Sequence, residues 1–275
     1  MKRRELFEFE DFQWLPPFIR NGLTNLLQVL HKMMGTPQVI AGLITELEDV
    51  YPFSQITDLG SGSGGPMLLV LDQLNAKGPE HSKKLLLTDL YPPPGVVSEI
   101  NGRDLEHIHY HEEPVDATHL ETAPKGLRTM IASFHHMPPK AARAILRSSA
   151  RSKQPILIYE IAKNNIPFLV WLLFLPVSLL ILMLMTWFMT PFVRPLRFSQ
   201  LLFTYLIPLI PIVYAWDGQA SLMRTYSFKD IEILLEKVQS PNYHWKVAEA
   251  RKSNQKALGF YIMGCPVAND TASDT

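Results

Sequence analysis

The chain of 275 residues contains one apolar block that constrains what it can fold into. Between Asn164 and Trp216, a span of 53 residues, only Arg194 and Arg197 are charged. The whole chain has 26 basic and 26 acidic residues, so the rest of it has the charge content of an ordinary soluble domain. We therefore expect a soluble domain that is interrupted by a hydrophobic segment.

The first half of this block is long enough to cross a bilayer. Residues 166–190 are 25 residues without a charge, and as a helix they would be about 37 Å long. The second half, 201–216, is shorter, and Pro208 and Pro211 are expected to kink it. We predict a membrane-associated helical hairpin over residues 164–216 that either spans the bilayer or dips into it. A soluble lid is less favoured, because 25 uncharged residues exceed the usual buried helix.

The positive charges around the block predict the side of the membrane on which the soluble part lies. The flanks, residues 147–163 and 217–231, carry six Lys and Arg residues, against two between the halves of the block. Positively charged flanks tend to stay inside, so we expect the soluble domain to face the cytoplasm. The first residues turn acidic without an apolar run, which argues against a signal peptide. A single cysteine, Cys265, argues against a disulfide framework.

Outside the block, strand-like and helix-like segments alternate, which predicts an α/β fold with a parallel sheet. The expected strands are residues 55–59, 84–89, 108–111, 128–133, 155–160, 245–249 and 258–263. The last two are close enough for a hairpin, so the final strand is expected to run antiparallel. The predicted domains are an N-terminal helical cap over 1–50, a soluble domain over 51–163 and 217–267, the hairpin over 164–216, and a disordered tail over 268–275.

A glycine-rich loop, DLGSGSGGP over residues 58–66, follows the first predicted strand. Glycines permit a tight turn from strand to helix and let a ligand approach the backbone. Gly60, Gly62 and Gly65 also have the spacing of a dinucleotide loop, so an NAD-dependent oxidoreductase is an alternative. Asp58 argues against it, because a carboxylate at the turn would repel a pyrophosphate. This acid would instead suit a ligand with an ammonium group.

Asp89 follows the second predicted strand, and Asp116 follows the third. Together with these acids, the loop resembles the cofactor site of class I S-adenosylmethionine-dependent methyltransferases. The resemblance covers approximately residues 50–160 and 225–265. In that family the loop holds the methionine part of the cofactor. The acid at the position of Asp89 binds the ribose hydroxyls, and the acid at the position of Asp116 contacts the adenine. The resemblance implies a Rossmann-like, doubly wound, mostly parallel sheet of seven strands, with S-adenosyl-L-methionine as cofactor. The cofactor-binding residues that it implies are Asp58, Gly60, Gly62, Gly64, Asp89, Asp116, Ala117 and Ser133.

Two adjacent histidines, His135 and His136, follow the fourth predicted strand, where the family's loop borders the transferred methyl group. A hydroxyl acceptor is helped by a general base, and histidine titrates near neutral pH, so we slightly favour His136 as a base. The alternative is a structural or substrate-orienting role, and Glu160 is an alternative base. No metal is assigned, because a polar strand edge is the plainer account of the three alternating histidines in residues 107–111.

These features predict an enzyme that transfers a methyl group to a hydrophobic or lipid-like small molecule at the membrane, with O-methylation favoured. Asp217, Arg224 and Tyr226 follow the apolar block, and they either bind this substrate or anchor the returning chain. A membrane-tethered cofactor-binding module without catalysis is a further alternative. No nucleic-acid partner is expected, because the net charge is zero and no basic stripe is present. The acceptor and the oligomeric state stay open.

Overall fold

A computed structural model of the chain divides into two compact units. The residues that the structure describes are 1–76, 78, 82–103, 105–120 and 124–267. The helical unit comprises Met1–Thr36 and Ala162–Asp230, and the sheet unit comprises Pro37–Ile161 and Ile231–Thr275. The predicted disordered tail, 268–275, lies outside the described residues.

Seven strands form one sheet in the sheet unit. They are β1 (Gln55–Leu59), β2 (Lys84–Thr88), β3 (Ile108–Tyr110), β4 (Leu127–Ile131), β5 (Ile156–Glu160), β6 (Tyr243–Arg251) and β7 (Ala257–Pro266). Their order is β3-β2-β1-β4-β5-β7-β6, with β1 to β5 parallel and β7 antiparallel to both of its neighbours. This order confirms the Rossmann-like, mostly parallel sheet of seven strands and its antiparallel final strand. The strand order reverses between β1 and β4, which is where ligands bind in such sheets.

Six of the nine α-helices in the described residues begin at a proline or directly after one. They are α1 (Pro17–Met34), α2 (Thr36–Val50), α3 (Met67–Asn75), α4 (Pro94–Asn101), α5 (Pro139–Arg151), α6 (Phe168–Met189), α7 (Phe198–Leu201), α8 (Leu209–Arg224) and α9 (Phe228–Leu235). Proline is favoured at a helix start, because its fixed φ suits the first turn and its missing N–H would have no partner there. The helix α4 was not predicted, because its prolines indicated a loop.

The inner strands of the sheet are buried because they are nearly continuous apolar runs. Every residue of β4 and β5 is buried, as expected for parallel strands covered on both faces. The charged exceptions are Glu160 of β5 and Arg128 of β4. Arg128 makes side-chain hydrogen bonds. Its Nη1 donates to Ser152 Oγ at 2.5 Å and its Nη2 donates to the Leu120 carbonyl oxygen at 2.6 Å, so the buried guanidinium makes charge-assisted hydrogen bonds.

The helical unit has a core of its own, formed by one face of α1 and residues of α6 and α8, with Leu26 and Ile210 completely buried. The outer face of α6 is instead exposed, and Leu169 and Leu173 are 76% and 74% exposed. The helical segment Phe168–Phe192, 25 residues long, is apolar and long enough to cross a membrane.

The return leg of the apolar block is bent. The segments Phe198–Leu206 and Leu209–Arg224 meet at an angle of 79°. The break lies at Pro208, which confirms the kink predicted there. The kink predicted at Pro211 is wrong, because Pro211 lies in the first turn of α8, where a backbone N–H has no partner within the helix.

The bounds of the two units differ from those of the predicted domains. Residues 37–50, predicted within the N-terminal cap, belong to the sheet unit. Residues 162–163 and 217–230, predicted within the soluble domain, belong to the helical unit. The difference at residues 217–230 arises because α8 continues past Trp216 without a break and carries those residues with it.

Candidate functional site

The glycine loop after β1 takes a backbone conformation that favours glycine. Gly60, Gly62, Gly64 and Gly65 have φ angles of 66°, 51°, 91° and 47°. The loop is fixed to β2 by Ser61 N, which donates to the Thr88 carbonyl oxygen at 2.9 Å. Apart from the adjoining residues, no heavy atom of the described residues lies within 4 Å of a Cβ built on Gly62 or Gly65. The loop therefore offers open backbone to a ligand, as the sequence predicts.

Asp58, at the end of β1, is buried beside this loop. Thr129 Oγ1 donates to Asp58 Oδ1 at 2.6 Å, and Ser61 Oγ donates to Asp58 Oδ2 at 2.7 Å. Burial raises the pKa of Asp58 to about 7, although both hydroxyl hydrogen bonds act to lower it. Asp58 thus joins β1, β4 and the loop, and its contact with an ammonium group stays a prediction.

Asp89 follows β2 and is half-buried next to the loop. Its Oδ2 accepts a hydrogen bond from Gly62 N at 2.9 Å, and its Oδ1 accepts one from Tyr91 N at 2.9 Å. Each carboxylate oxygen has a further lone pair, so Asp89 can accept two more donors, such as a pair of ribose hydroxyls. The loop and this acid, 27 residues apart in sequence, therefore form one site.

Tyr110 of β3 also holds the loop, and sequence analysis missed it. Its hydroxyl donates to the Gly62 carbonyl oxygen at 2.8 Å. The side chain of Asn101 fixes its backbone, with Tyr110 N donating to Asn101 Oδ1 at 2.8 Å. Burial, together with the charges of Asp89 and Asp58, raises the pKa of Tyr110, so the phenol stays protonated. The sequence offers no signal for this contact beyond an aromatic residue on a predicted strand.

Asp116 lies on an exposed turn after β3. Its Oδ1 accepts hydrogen bonds from Thr118 N at 2.8 Å and Thr118 Oγ1 at 2.7 Å, and the His119 ring lies 3.1 Å from its Oδ2. Burial acts to raise the pKa of Asp116, but the Thr118 and His119 hydrogen bonds outweigh it and lower the pKa. Val115 N donates to the Asp89 carbonyl oxygen at 2.8 Å, which brings the two acidic segments together. Ala117 is half-buried in the same turn.

Ser133 lies beside the glycine loop at the end of β4. Its Oγ is 3.4 Å from the Leu59 carbonyl oxygen and 3.6 Å from a Cβ built on Gly60. The preceding Ala132 has a φ of 53°, which is unusual for a residue with a side chain. Strained backbone of this kind clusters at functional sites. The structure thus brings Ser133 to the loop, and its contact with a cofactor stays a prediction.

His135 and Glu160 form a buried pair. His135 N donates to Glu160 Oε1 at 3.0 Å, and His135 Nδ1 lies 2.9 Å from Glu160 Oε2. His136 is half-buried, and its ring centroid lies 4.3 Å from that of His135. The three predicted catalytic residues are therefore in one cluster.

The three candidate substrate residues lie in the helical unit, where they contact the N-terminal segment. Asp217 Oδ1 accepts a hydrogen bond from Phe9 N at 2.8 Å, and its Oδ2 accepts one from Glu10 N at 3.2 Å. These contacts match the alternative in which Asp217 anchors the chain. Its role in binding a substrate stays a prediction.

Arg224 and Tyr226 contact the same segment. Arg224 Nη1 lies 3.1 Å from Glu8 Oε1 and 2.5 Å from Asp11 Oδ2. Tyr226 is buried, with the Arg3 guanidinium 5.1 Å from the centre of its ring. Both residues thus support the N-terminal segment, and a contact with substrate also stays a prediction for them.

No protein-family model matches the chain, and no curated protein matches it. Among solved structures, the plantazolicin methyltransferase BamL, in complex with a triazolic desmethylPZN analog and SAH, is 12% identical with a TM-score of 0.49, over 90% of this chain and 96% of that one. The methyltransferase domain of bacterial CtHen1 is 12% identical with a TM-score of 0.46, over 83% and 98%. The mitomycin 7-O-methyltransferase MmcR is 17% identical with a TM-score of 0.42, over 86% and 56%. The strand order and the loop contacts, rather than these likenesses, carry the functional proposal.

Proposed function

We propose that the protein is an S-adenosyl-L-methionine-dependent methyltransferase. The observation that carries this proposal is the hydrogen bond between Asp89 and Gly62 at the point where the strand order reverses. It places a carboxylate with open lone pairs against an open glycine loop. A ligand with vicinal hydroxyls and a small zwitterionic end fits this pair of features.

The residues present fit that cofactor. The loop of Gly60, Gly62 and Gly64 would hold its methionine part, and Ser133 lies against the same loop. Asp89 would accept the ribose hydroxyls, and the turn of Asp116 and Ala117 would border the adenine. When bound, the cofactor supplies a methyl group on a positively charged sulfur, which a nucleophile can attack directly.

In this proposal the protein aligns an acceptor and removes its proton. Glu160 holds His135 by both its backbone N and its ring Nδ1, which fixes the start of the loop after β4. His136 is the more exposed of the two rings, so it is the one that can contact an acceptor hydroxyl. It would take the hydroxyl proton at a ring nitrogen, while His135 and Glu160 act as positioning residues.

The apolar block would attach the enzyme to a membrane. An α-helix with exposed leucines on its outer face needs an apolar phase to cover them, and α6 has the length to enter a bilayer. The 79° bend in the return leg favours a hairpin that dips into the bilayer over one that crosses it twice as straight helices. The positively charged flanks favour a cytoplasmic sheet unit.

A hydrophobic or lipid-like acceptor, methylated on oxygen, is the substrate that this arrangement favours. An enzyme held at the bilayer meets apolar substrates at a high local concentration, and histidine suits the deprotonation of a hydroxyl. Neither feature fixes the structure of the acceptor.

Calorimetry on detergent-solubilised full-length protein tests the proposed cofactor. We expect S-adenosylmethionine and S-adenosylhomocysteine to bind, and NAD(H) not to bind. Binding of NAD(H) alone would support an oxidoreductase and overturn the proposal.

Incubation with radiolabelled S-adenosylmethionine and a membrane lipid extract tests the transfer. We expect label in the organic phase. If mild base releases no methanol from the labelled product, the product is not a methyl ester. An ether is then the expected O-methylated product. Cofactor binding without label in any lipid or soluble fraction would instead support a non-catalytic module.

A further inference from the structure

A cavity lies in the helical unit. It has a volume of about 380 Å³ and lies between the start of α1 and the segment that leads into α7. Its lining includes Phe18, Asn21, Asn25, Arg197, Ser199 and Gln200. Cavities of this size hold small ligands or parts of larger ones.

The lining of this cavity is rich in hydrogen-bond donors. It contains three side-chain amides, one guanidinium and one hydroxyl, and none of its eight residues is acidic. The Arg197 guanidinium supplies a permanent positive charge. Such a set favours a ligand that only accepts hydrogen bonds and carries negative charge.

Gln200 gives an independent sign of a missing acceptor. It is 2% exposed, and its Oε1 lies 3.4 Å from Asn25 Nδ2. Its Nε2 is buried and has no hydrogen-bond partner among the described residues. A buried amide without an acceptor is unfavourable, so an acceptor that enters the cavity would recover the lost hydrogen bond.

The surroundings of the cavity are apolar. Phe198, next to Arg197, is 77% exposed, and Phe18 and Leu201 are exposed as well. Phe18 stacks on Phe203 with ring centroids 4.5 Å apart, which continues the apolar surface along the return leg. A cation with exposed aromatic residues beside it is typical of the boundary between lipid headgroups and acyl chains.

We propose that this cavity binds the phosphodiester of a membrane phospholipid. The phosphate oxygens accept hydrogen bonds from Arg197 and Gln200, and the acyl chains lie on the apolar surface next to the cavity. The phospholipid bound here is distinct from the proposed methyl acceptor. This inference rests on the proposed membrane attachment. The bound phospholipid would fix the depth of the apolar block relative to the headgroups.

Native mass spectrometry on the detergent-solubilised full-length protein tests the site. Dioleoylphosphatidylglycerol is compared with dioleoylglycerol, which has the same chains without phosphate, and with inorganic phosphate. We expect a one-to-one adduct with the phospholipid only. An equal adduct with dioleoylglycerol would overturn the role of the phosphate, and an equal adduct with inorganic phosphate would overturn the lipid source.

Two substitutions of arginine provide the matched control. Arg197→Gln is expected to weaken the phospholipid adduct about tenfold, the effect of one charge-assisted hydrogen bond. Arg194→Gln removes the same charge three residues away, outside the cavity lining, and should bind as the wild type does. Equal weakening in both variants would show a non-specific charge effect and overturn the site.

Gln200→Leu separates binding from folding. Without lipid, its melting temperature should equal or exceed that of the wild type, because the unpaired amide is removed. Its melting temperature should rise less than that of the wild type on adding dioleoylphosphatidylglycerol, and a rise equal to the wild type would overturn the role of Gln200. Membrane fractionation of the wild type and of these variants tests the membrane attachment separately. A wild-type protein that stays in the soluble fraction refutes the attachment, whatever the adducts show.

Discussion

The two units of the protein place similar apolar sequences in opposite environments. In the sheet unit, the runs of β4 and β5 are covered completely by other parts of the chain. In the helical unit, α6 is more apolar and longer, yet only 6% of an 18-residue stretch of the segment Phe168–Phe192 is buried. An apolar run therefore does not reveal by itself what will cover it.

The polar residues show the same contrast. In the sheet unit, acids such as Asp58 and Asp89 fix a loop that is open to a ligand. In the helical unit, Asp217 and Arg224 fix a segment of the chain itself. We therefore propose that the sheet unit binds the cofactor and carries out the chemistry, and that the helical unit attaches the protein to the membrane. Four experiments test this division of roles.

The largest expected effect is on cofactor binding in the sheet unit. Asp89→Ala removes two acceptors for ribose hydroxyls, each worth about 2 kcal/mol, so the affinity for S-adenosylhomocysteine should fall about a thousandfold. Calorimetry measures it. The control is Asp217→Ala, which removes an acid of the helical unit and should leave the affinity for S-adenosylhomocysteine unchanged. Equal losses in both variants would contradict the division of roles.

The second effect is on membrane attachment by the helical unit. Leu180→Arg places a charge near the middle of α6, on its exposed face, at a cost of about 3 kcal/mol for insertion. The fraction of protein that remains with membranes after a carbonate wash should fall. Leu169→Arg makes the same change at the end of α6, where the side chain reaches the interface, and should have little effect. If Leu180→Arg stays in the membrane fraction, the proposed insertion of α6 is refuted.

The third effect is on catalysis. His136→Asn should lower kcat about a hundredfold, as expected for the loss of a general base, with little change in cofactor affinity. His135→Asn should act through the position of the loop. Because a general base must be unprotonated to accept the proton, the acidic limb of the pH profile of kcat should disappear in His136→Asn and persist in His135→Asn. A wild-type profile in His136→Asn would remove this residue from the chemistry.

The fourth effect is the pH dependence of stability, which compares one acid in each unit. Burial raises the pKa of Asp58 from 3.8 to about 7, and burial, Asp217 and Glu8 raise the pKa of Glu10 from 4.5 to about 8. Each folded state holds its proton more tightly than the unfolded chain does. The resulting stability is complete below the unfolded pKa and is lost as pH rises through the folded pKa, by at most about 1.4 kcal/mol per pH unit for each acid.

Thermal unfolding of the detergent-solubilised protein between pH 4 and 9 measures this dependence. The decline in melting temperature between pH 4 and 7 should be shallower in Asp58→Asn than in the wild type. Between pH 7 and 8 the decline should remain in Asp58→Asn and vanish in Glu10→Gln. Identical curves for all three proteins would show that neither acid is protonated in the folded state.

Most of the sheet could be predicted because its signals are local. Short apolar runs ended by glycine or acid mark β1 and β2, and α5 follows from its amphipathic period. The helix α4 was missed because the prolines before it are also typical of loops, and only packing decides between the two. Of the site, the loop was predictable from its glycines and the acids from the family resemblance, but Tyr110 was not, since its partner is 48 residues away.

Local sequence patterns are enough to predict the alternation of strands and helices, the position of the glycine loop and the length of the apolar block. These features follow from periodicity, chain stiffness and transfer of apolar residues from water, which depend on neighbouring residues. The polar groups that meet in space depend on the tertiary structure. The pairing of His135 with Glu160 needs β4 beside β5, and the hold of Asp217 on the N-terminal segment joins residues more than 200 positions apart. Hydrogen bonds depend on distance and angle in space, and spacing in the sequence does not fix either of them.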